Sequence, residues 1–347
     1  MTSVNISNSN NSNSVLKEID EIKDQKKASN NNFSIATFIK KKFLLFAISS
    51  LLLYLLIKDV NVKEIIGVIK SANLIFLIFA FSLHAIGLTI SAFRWKLLLQ
   101  SLQINSKIFY LVKSYLVASF FNNFIPSTIG GDSIRVYDSY KLGKSKSKGF
   151  VVVFVDRFLG LFALVIFTFI ASFYSFGIIS KMSNINIWII ASLLISFIII
   201  LFILFPPLKF FNRLKNSRIS ILNKAGSLLY KIGEAFSQFR NRKPALLKAL
   251  MLSVFLQINV ILYYYLISLS LGFNIPIISF SFIVPLLIFI VMVPISINGI
   301  GLRENALFFF FSFYGIPKTE AIAFAWIEFS MLLLLGIIGG IVYAFRK

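Results

Sequence analysis

Apolar residues run through this chain in long unbroken stretches, not in short alternations. In order they are Phe43–Ile57, Ser71–Phe93, Ser114–Gly131, Phe150–Ser180, Ile185–Leu208, Ala249–Leu271, Ile277–Ile297 and Ala321–Phe345. A helix needs about 20 residues to cross the hydrocarbon core, and most of these stretches reach that length. Strands of a membrane barrel would alternate apolar and polar with a period of two, which these do not. The pattern predicts an all-α polytopic membrane protein with about six full transmembrane helices and two broken, re-entrant units. The first break carries Asn122, Asn123, Pro126 and a glycine pair, and the second lies within 277–317.

Polar segments frame these stretches. Residues 1–32 are low in complexity and too polar to bury a core, so a disordered cytosolic tail is expected there, with the integral membrane domain over 33–347. Between 217 and 241, Ile221, Leu222, Ala225, Leu228, Leu229, Ile232, Phe236 and Phe239 recur at helical spacing until Pro244. This part of the 209–248 connector reads as an amphipathic helix on the inner leaflet, or else as a solvated connector packed on the bundle.

Composition sharpens the picture. Charged residues are only 14% of the 347 and the mean hydropathy is +0.85, against about 25% charged residues in soluble domains. With no cysteine there is no disulfide scaffold or thiolate metal site, and the single His84 cannot build a multi-histidine centre; His84 reads as a packed core residue. The net charge of +22 sits between apolar runs, which points to an anionic membrane surface and not to nucleic acid. If the N-terminus is cytosolic and both broken units are re-entrant, 28 of the 35 Lys and Arg fall on the cytosolic side. Six fall outside, and Arg157 lies within a span. That bias predicts a multi-pass protein of the cytoplasmic membrane with both termini in the cytosol. Arg94-Trp95-Lys96 reads as an interfacial anchor after the Ser71–Phe93 span.

The two breaks share a spacing. Pro126, Gly131 and Arg135 map onto Pro294, Gly299 and Arg303 with one offset of 168 residues, both as P-x4-G-x3-R. Entered from opposite sides, the units would form an inverted repeat, and interrupted segments at matching places in two halves point to a transporter's substrate site. Pro and Gly free backbone N–H groups, which at membrane depth must meet protein, water or a ligand. A half-helix after the glycines aims its positive end at an anion. Arg135 and Arg303 can grip a phosphate, with Asp132 and Glu304 as their partners when the site is empty. Asp156 and Arg157 add a further charged pair, and Glu328 is an acid inside the last span. The candidate substrate-binding set is therefore Asn123, Pro126, Gly130, Gly131, Asp132, Arg135, Asp156, Arg157, Asn298, Gly299, Gly301, Arg303, Glu304 and Glu328.

The run NNFIPSTIGGDSIR, then VDRFLG, then PISINGIGLRE resembles the transmembrane region of the lysylphosphatidylglycerol synthase family, the flippase-like membrane proteins. The likeness covers about residues 38–345. By match it carries over Pro126, Gly130, Gly131, Asp132, Arg135, Asp156, Arg157, Gly160, Pro294, Asn298, Gly299, Gly301, Arg303 and Glu304. The resemblance implies movement of a lipid across the bilayer, an aminoacylated lipid in the two-part enzymes and a polyprenyl-phosphate carrier in related archaeal domains. The chain ends two residues after its last span, so a stand-alone member without the soluble aminoacyl-transferring domain is expected. The expectation is a transporter and not an enzyme: a translocase for a phospholipid or polyprenyl-phosphate-linked lipid. It would work with no cofactor, beside a separate glycosyltransferase or lipid-modifying enzyme as possible partner. The alternatives are a membrane-embedded transferase on such a lipid, and a small-solute or ion transporter.

Overall fold

In the computed structural model the described residues are 60–124, 129–174, 237–292 and 298–346, with scattered positions between. The chain divides after Ile48, and all of these residues belong to the Ser49–Lys347 unit. The polar tail 1–32, the Ile185–Leu208 stretch, most of Phe43–Ile57 and of the amphipathic segment 217–241, and Pro126 and Pro294 lie outside the described residues.

Helix is the regular structure among the described residues. The helices are α1 (Val62–Ser71), α2 (Leu74–Ser101), α3 (Ile108–Phe124), α4 (Ile129–Gly143) and α5 (Lys146–Tyr174). They are followed by α6 (Lys243–Ser270), α7 (Ile277–Met292), α8 (Leu302–Ser312) and α9 (Lys318–Ala344). The starts follow local chemistry. Asn61 and Asn73 cap α1 and α2 by accepting from the N–H of Lys63 and Ile75, both at 3.0 Å. Pro244 sits in the first turn of α6, where its missing N–H costs nothing. Ser91, Thr168 and Ser253 return their hydroxyl protons to backbone carbonyls four residues earlier, which lets them sit in apolar helices.

Helices α2, α5, α6 and α9 are long and apolar enough to cross a membrane. Exposed Ile78, Phe79 and Ile86 on α2, Phe255 on α6 and Ile337 on α9 present the apolar faces that lipid requires. The order long, short, short, long occurs twice, over α2–α5 and α6–α9. Helices α2 and α6 begin at 74 and 243, and α3 and α7 at 108 and 277, both 169 residues apart. Helices α4 and α8 begin at 129 and 302, and α5 and α9 at 146 and 318, which are 173 and 172 apart.

The two halves are inverted. Helices α2 and α6 pack antiparallel: the Asn73 N–H donates to the Ser270 carbonyl at 2.7 Å, while Leu98 packs beside Leu246 and Ala249 at the far end. The α3–α4 hairpin opens where α2 ends, with Ile104 against Gly143. The α7–α8 hairpin opens at the opposite end, where Phe273 packs on Phe311 and Phe324. Their tips meet in the middle, where Asn298 Nδ2 donates to Asn123 Oδ1 at 3.0 Å. The expected pair of opposed broken units is therefore present. Each hairpin leans on the last helix of the other half, α3 on α9 and α7 on α5.

Two expectations are corrected. The Ser71–Phe93 span does not stop at an interfacial Arg94-Trp95: α2 continues to Ser101, with Trp95 fully buried and Arg94 almost so. The shared P-x4-G-x3-R spacing does not superimpose residue by residue either. Gly131 lies inside the first turn of α4, whereas Gly299 has φ +78° in the turn before α8. The repeat lies in the lengths and order of the helices, and unequal turns shift its offset.

Three single-cysteine variants test this geometry, because the chain has no cysteine of its own. An impermeant thiol reagent should reach Lys146→Cys and Phe345→Cys from one side of a sealed vesicle and Asn61→Cys from the other. Labelling of positions 146 and 345 from opposite sides would contradict the opposed hairpins.

Candidate functional site

The first half gathers its charges around Asp156, the eleventh residue of α5 and fully buried. Asp156 Oδ1 accepts from Arg94 Nε at 2.6 Å, and Oδ2 accepts from Arg135 Nη2 at 2.6 Å and from the Tyr115 hydroxyl at 3.2 Å. Arg94 also donates through Nη1 to Ser253 on α6 at 2.9 Å. The Arg135 guanidinium lies 4.8 Å from the Trp95 ring and 4.3 Å from that of Tyr115, and cation–π attraction there offsets part of the lost hydration. Asp156 and Arg157 do not pair with each other. Successive helical residues point about 100° apart, and Arg157 turns instead to Asp132, whose Oδ2 is 2.7 Å from its Nε. Asp132 lies 3.3 Å from Arg135 as well, a looser contact than the one that Arg135 makes with Asp156.

The second half repeats the design with different spacing. Glu328 is the eleventh residue of α9, as Asp156 is of α5. Its Oε2 is 3.0 Å from Arg303 Nη1, and its Oε1 accepts from the Tyr264 hydroxyl at 3.1 Å. The expectation that Glu304 holds Arg303 is corrected. Glu304 instead accepts from the Gly301 N–H at 2.7 Å, closing the start of α8, where a carboxylate also opposes the positive helix end. Arg303 Nη2 donates to the Asn298 carbonyl at 3.2 Å, which fixes the α8 turn. Gly299 is required there twice over: its φ is +78°, and a Cβ would stand 2.6 Å from Val291 Cγ1.

Both clusters border one central space. Three adjoining lobes, each about 260–280 Å³, meet at Ile288. One is walled by Asn122, Asn123, Asn298, Gly299, Arg303 and Glu328. A second is walled by Arg94, Tyr115, Arg135, Asp156, Arg157 and Gly160. The third has His84, Asn259, Tyr263, Tyr264 and Glu328. Arg157 lines the first two and keeps 36% of its side chain exposed, while Arg94, Arg135 and Arg303 keep 7% or less. Among the cavity's arginines it is the one whose charge faces open space.

The structure thus gathers Asn123, Asp132, Arg135, Asp156, Arg157, Asn298, Gly299, Arg303 and Glu328 at the cavity or in the ion pairs behind it. Gly130 and Gly131 sit in the first turn of α4, where Asn122 Oδ1 accepts from the Gly131 N–H at 2.8 Å and closes the hairpin tip. Gly301 and Glu304 build the start of α8, and Pro126 is outside the described residues. Arg94, Tyr115, Tyr263 and Tyr264 were missed. No spacing marks them, although an arginine only seven residues from the end of a 28-residue apolar helix is a signal in itself. His84 is not plain core: it lines two lobes, and its ring meets Tyr263 edge-on at 5.1 Å. Among the described residues no three His, Asp or Glu side chains converge as metal ligands would.

Asp156→Asn should lower the detergent melting point severely, by about 3–5 kcal/mol of stability, because it leaves two arginines buried against a neutral amide. Gly299→Ala should cost about 1–2 kcal/mol from the backbone alone, with the Val291 contact adding to it. Thermal unfolding followed by fluorescence reads both, and an Asp156→Asn protein as stable as the parent would show that the cluster does not hold the bundle.

Comparison with known proteins agrees with these features. Residues 43–340 match the model of the lysylphosphatidylglycerol synthase transmembrane region. A UPF0104 membrane protein of Pyrococcus horikoshii is 25% identical over 302 residues, covering 82% of this chain and 90% of the relative. One from Methanocaldococcus jannaschii is 26% identical over 297 residues, covering 82% and 88%. One from Methanothermobacter thermautotrophicus is 24% identical over 306 residues, covering 82% and 89%. The chain is an integral multi-pass membrane protein and belongs to the lysylphosphatidylglycerol synthase transmembrane-region family.

Proposed function

We propose that the chain is a lipid translocase that carries a phosphate-bearing head group through the space between its two hairpins. The observation that carries this reading is the half-exposed Arg157 on a wall shared by two lobes, with Asn122, Asn123 and Asn298 beside it. A guanidinium can hold a phosphate with two parallel hydrogen bonds, and side-chain amides can accept and donate to the remaining head-group atoms. The facing wall of Ile288, Val291, Met292, Leu332 and Leu335 suits the upper part of an acyl or prenyl chain. Charge balance agrees with an anion. Arg94, Arg135 and Arg157 face Asp132 and Asp156, which leaves one positive charge in the first half.

The reading extends to sidedness. Lys96, Lys107, Lys141, Lys144, Lys146 and Lys148 crowd the end at which α2 and α4 stop. Lys63, Lys70 and Lys318 stand at the other. The basic end is the cytosolic side of the cytoplasmic membrane, with Arg346 at the end of α9 there, by the rule that Lys and Arg flank spans inside.

Reconstituted liposomes containing a short-chain fluorescent phospholipid, read with an impermeant quencher, test the function. Arg157→Gln should slow translocation about tenfold or more while the melting point changes little, because one charge-assisted contact is removed and no buried acid loses its only partner. Unchanged translocation in Arg157→Gln would remove the head-group site from this cavity. A covalently altered lipid in the same vesicles would favour a transferase.

A further inference from the structure

The two halves treat their central carboxylates differently. Asp156 is held by two arginines, Arg94 from α2 and Arg135 from α4. Glu328 at the matching position is paired with one arginine among the described residues, Arg303, besides its hydrogen bond from Tyr264. The residue of α6 that corresponds to Arg94, 169 positions on, is Tyr263, and its buried hydroxyl has no hydrogen-bond partner among the described residues. Glu328 Oε2 is close to Arg303 in charge contact but has no aligned donor among the described residues, although it is buried. One half therefore holds a locked carboxylate and the other a carboxylate with a spare acceptor on a cavity wall.

We infer that Glu328 is a proton-binding site, and that it takes up a proton as a monoanionic phosphodiester, held in the lobe that Arg157 and Arg303 both line, replaces it on Arg303. The inference rests on the lipid-translocation reading. In the empty site the pair carries Arg303⁺ and Glu328⁻, a net charge of zero. In the loaded site Arg303 keeps its proton, Glu328 gains one on a carboxylate oxygen from the bulk buffer, whose conjugate base stays in solution, and the phosphodiester supplies the negative charge. One anion is exchanged for another beside Arg303, so the charge around that guanidinium is the same in both states. A diester is the class whose single negative charge matches the one that Glu328 gives up at Arg303. Proton and head group then promote each other's binding, as linkage requires.

Every element around Glu328 is consistent with this exchange. Helix α8 presents Arg303, and also Glu304, which is occupied by the Gly301 N–H. Helix α6 presents Tyr263 and Tyr264, α2 presents His84, and α5 presents Arg157. Helix α3 presents Tyr115, with the non-titrating Ser119, Asn122 and Asn123, and α7 presents Leu287 and Ile288. Helix α1 packs through Ile65 against Ile322 and Ala323, on the first turns of α9. Among the described residues Arg303 is thus the cation in direct contact with Glu328, and His84 lines the same two lobes as the carboxylate.

The test is calorimetry of the purified full chain in an uncharged detergent, titrated with short-chain phosphatidylglycerol in two buffers of different ionisation enthalpy. The difference gives protons taken up per lipid bound. About one proton per lipid is expected above neutral pH in the parent protein, and none in Glu328→Gln. Binding without proton uptake in the parent, or uptake unchanged in Glu328→Gln, overturns this inference and leaves the lipid reading standing. No binding of phosphatidylglycerol at any pH sinks the lipid reading and the inference with it. If Glu328→Gln fails to fold, Tyr264→Phe decides. It removes a donor to the ionised carboxylate, so the pH at which uptake is half complete must move upward, and an unmoved midpoint overturns the inference.

Discussion

The carboxylate of Asp156 is the point on which the first half is built. It lies in the middle of a membrane helix, has no exposure, and accepts from donors on three other helices. Between apolar helices in lipid there is no net hydrophobic drive, because acyl chains are as apolar as leucine. Relative position then depends on close packing and on polar contacts that cannot be made elsewhere. Asp156 supplies such contacts to α2, α3 and α4 at once, and through Arg94 and Ser253 it reaches α6 in the other half. A side chain with this many obligations leaves little freedom to the elements that meet it.

The same helix turns its next residue the other way. Arg157 has Asp132 as its ion-pair partner and keeps much of its side chain open to the cavity. Neighbours in sequence thus divide two roles: one fixes the bundle and one faces the space it encloses. The fixed cluster is what allows the open charge to be tolerated, since Asp132 is held in place by α4 and helps to place Arg135 too.

Much of this architecture is legible in the sequence. Long apolar runs mark the spans, and Pro, Gly and Asn in the middle of such runs mark the hairpin tips at 122–131 and 298–303. The inversion was readable from Lys and Arg bias and from the repeated break. Pairing within the site was less legible. Arg94 and Asp156 are 62 residues apart, and an apolar helix surrounded by lipid carries no alternation to say which face meets a neighbour. Glu304 is the nearest acid to Arg303 in sequence, but residues adjacent on a helix diverge, and the acid that arrives is Glu328 from another helix. Helix-start geometry claimed Glu304 first, because the Gly301 N–H would otherwise be buried without an acceptor.

The crossed packing of the halves has a consequence for synthesis. The α3–α4 hairpin is complete once Gly143 has left the ribosome, but α9, on which α3 rests, begins only at Lys318. In the finished protein the two approach so closely that any side chain at Gly339 would run into the Leu116 carbonyl. Arg346 then closes the far end with two 2.8 Å hydrogen bonds to Asp138. Until those last residues are made, a short hairpin with polar side chains must wait in or beside the bilayer without its wall. A chain cut short before α9 lacks the wall on which α3 rests, so its first hairpin is left unclosed.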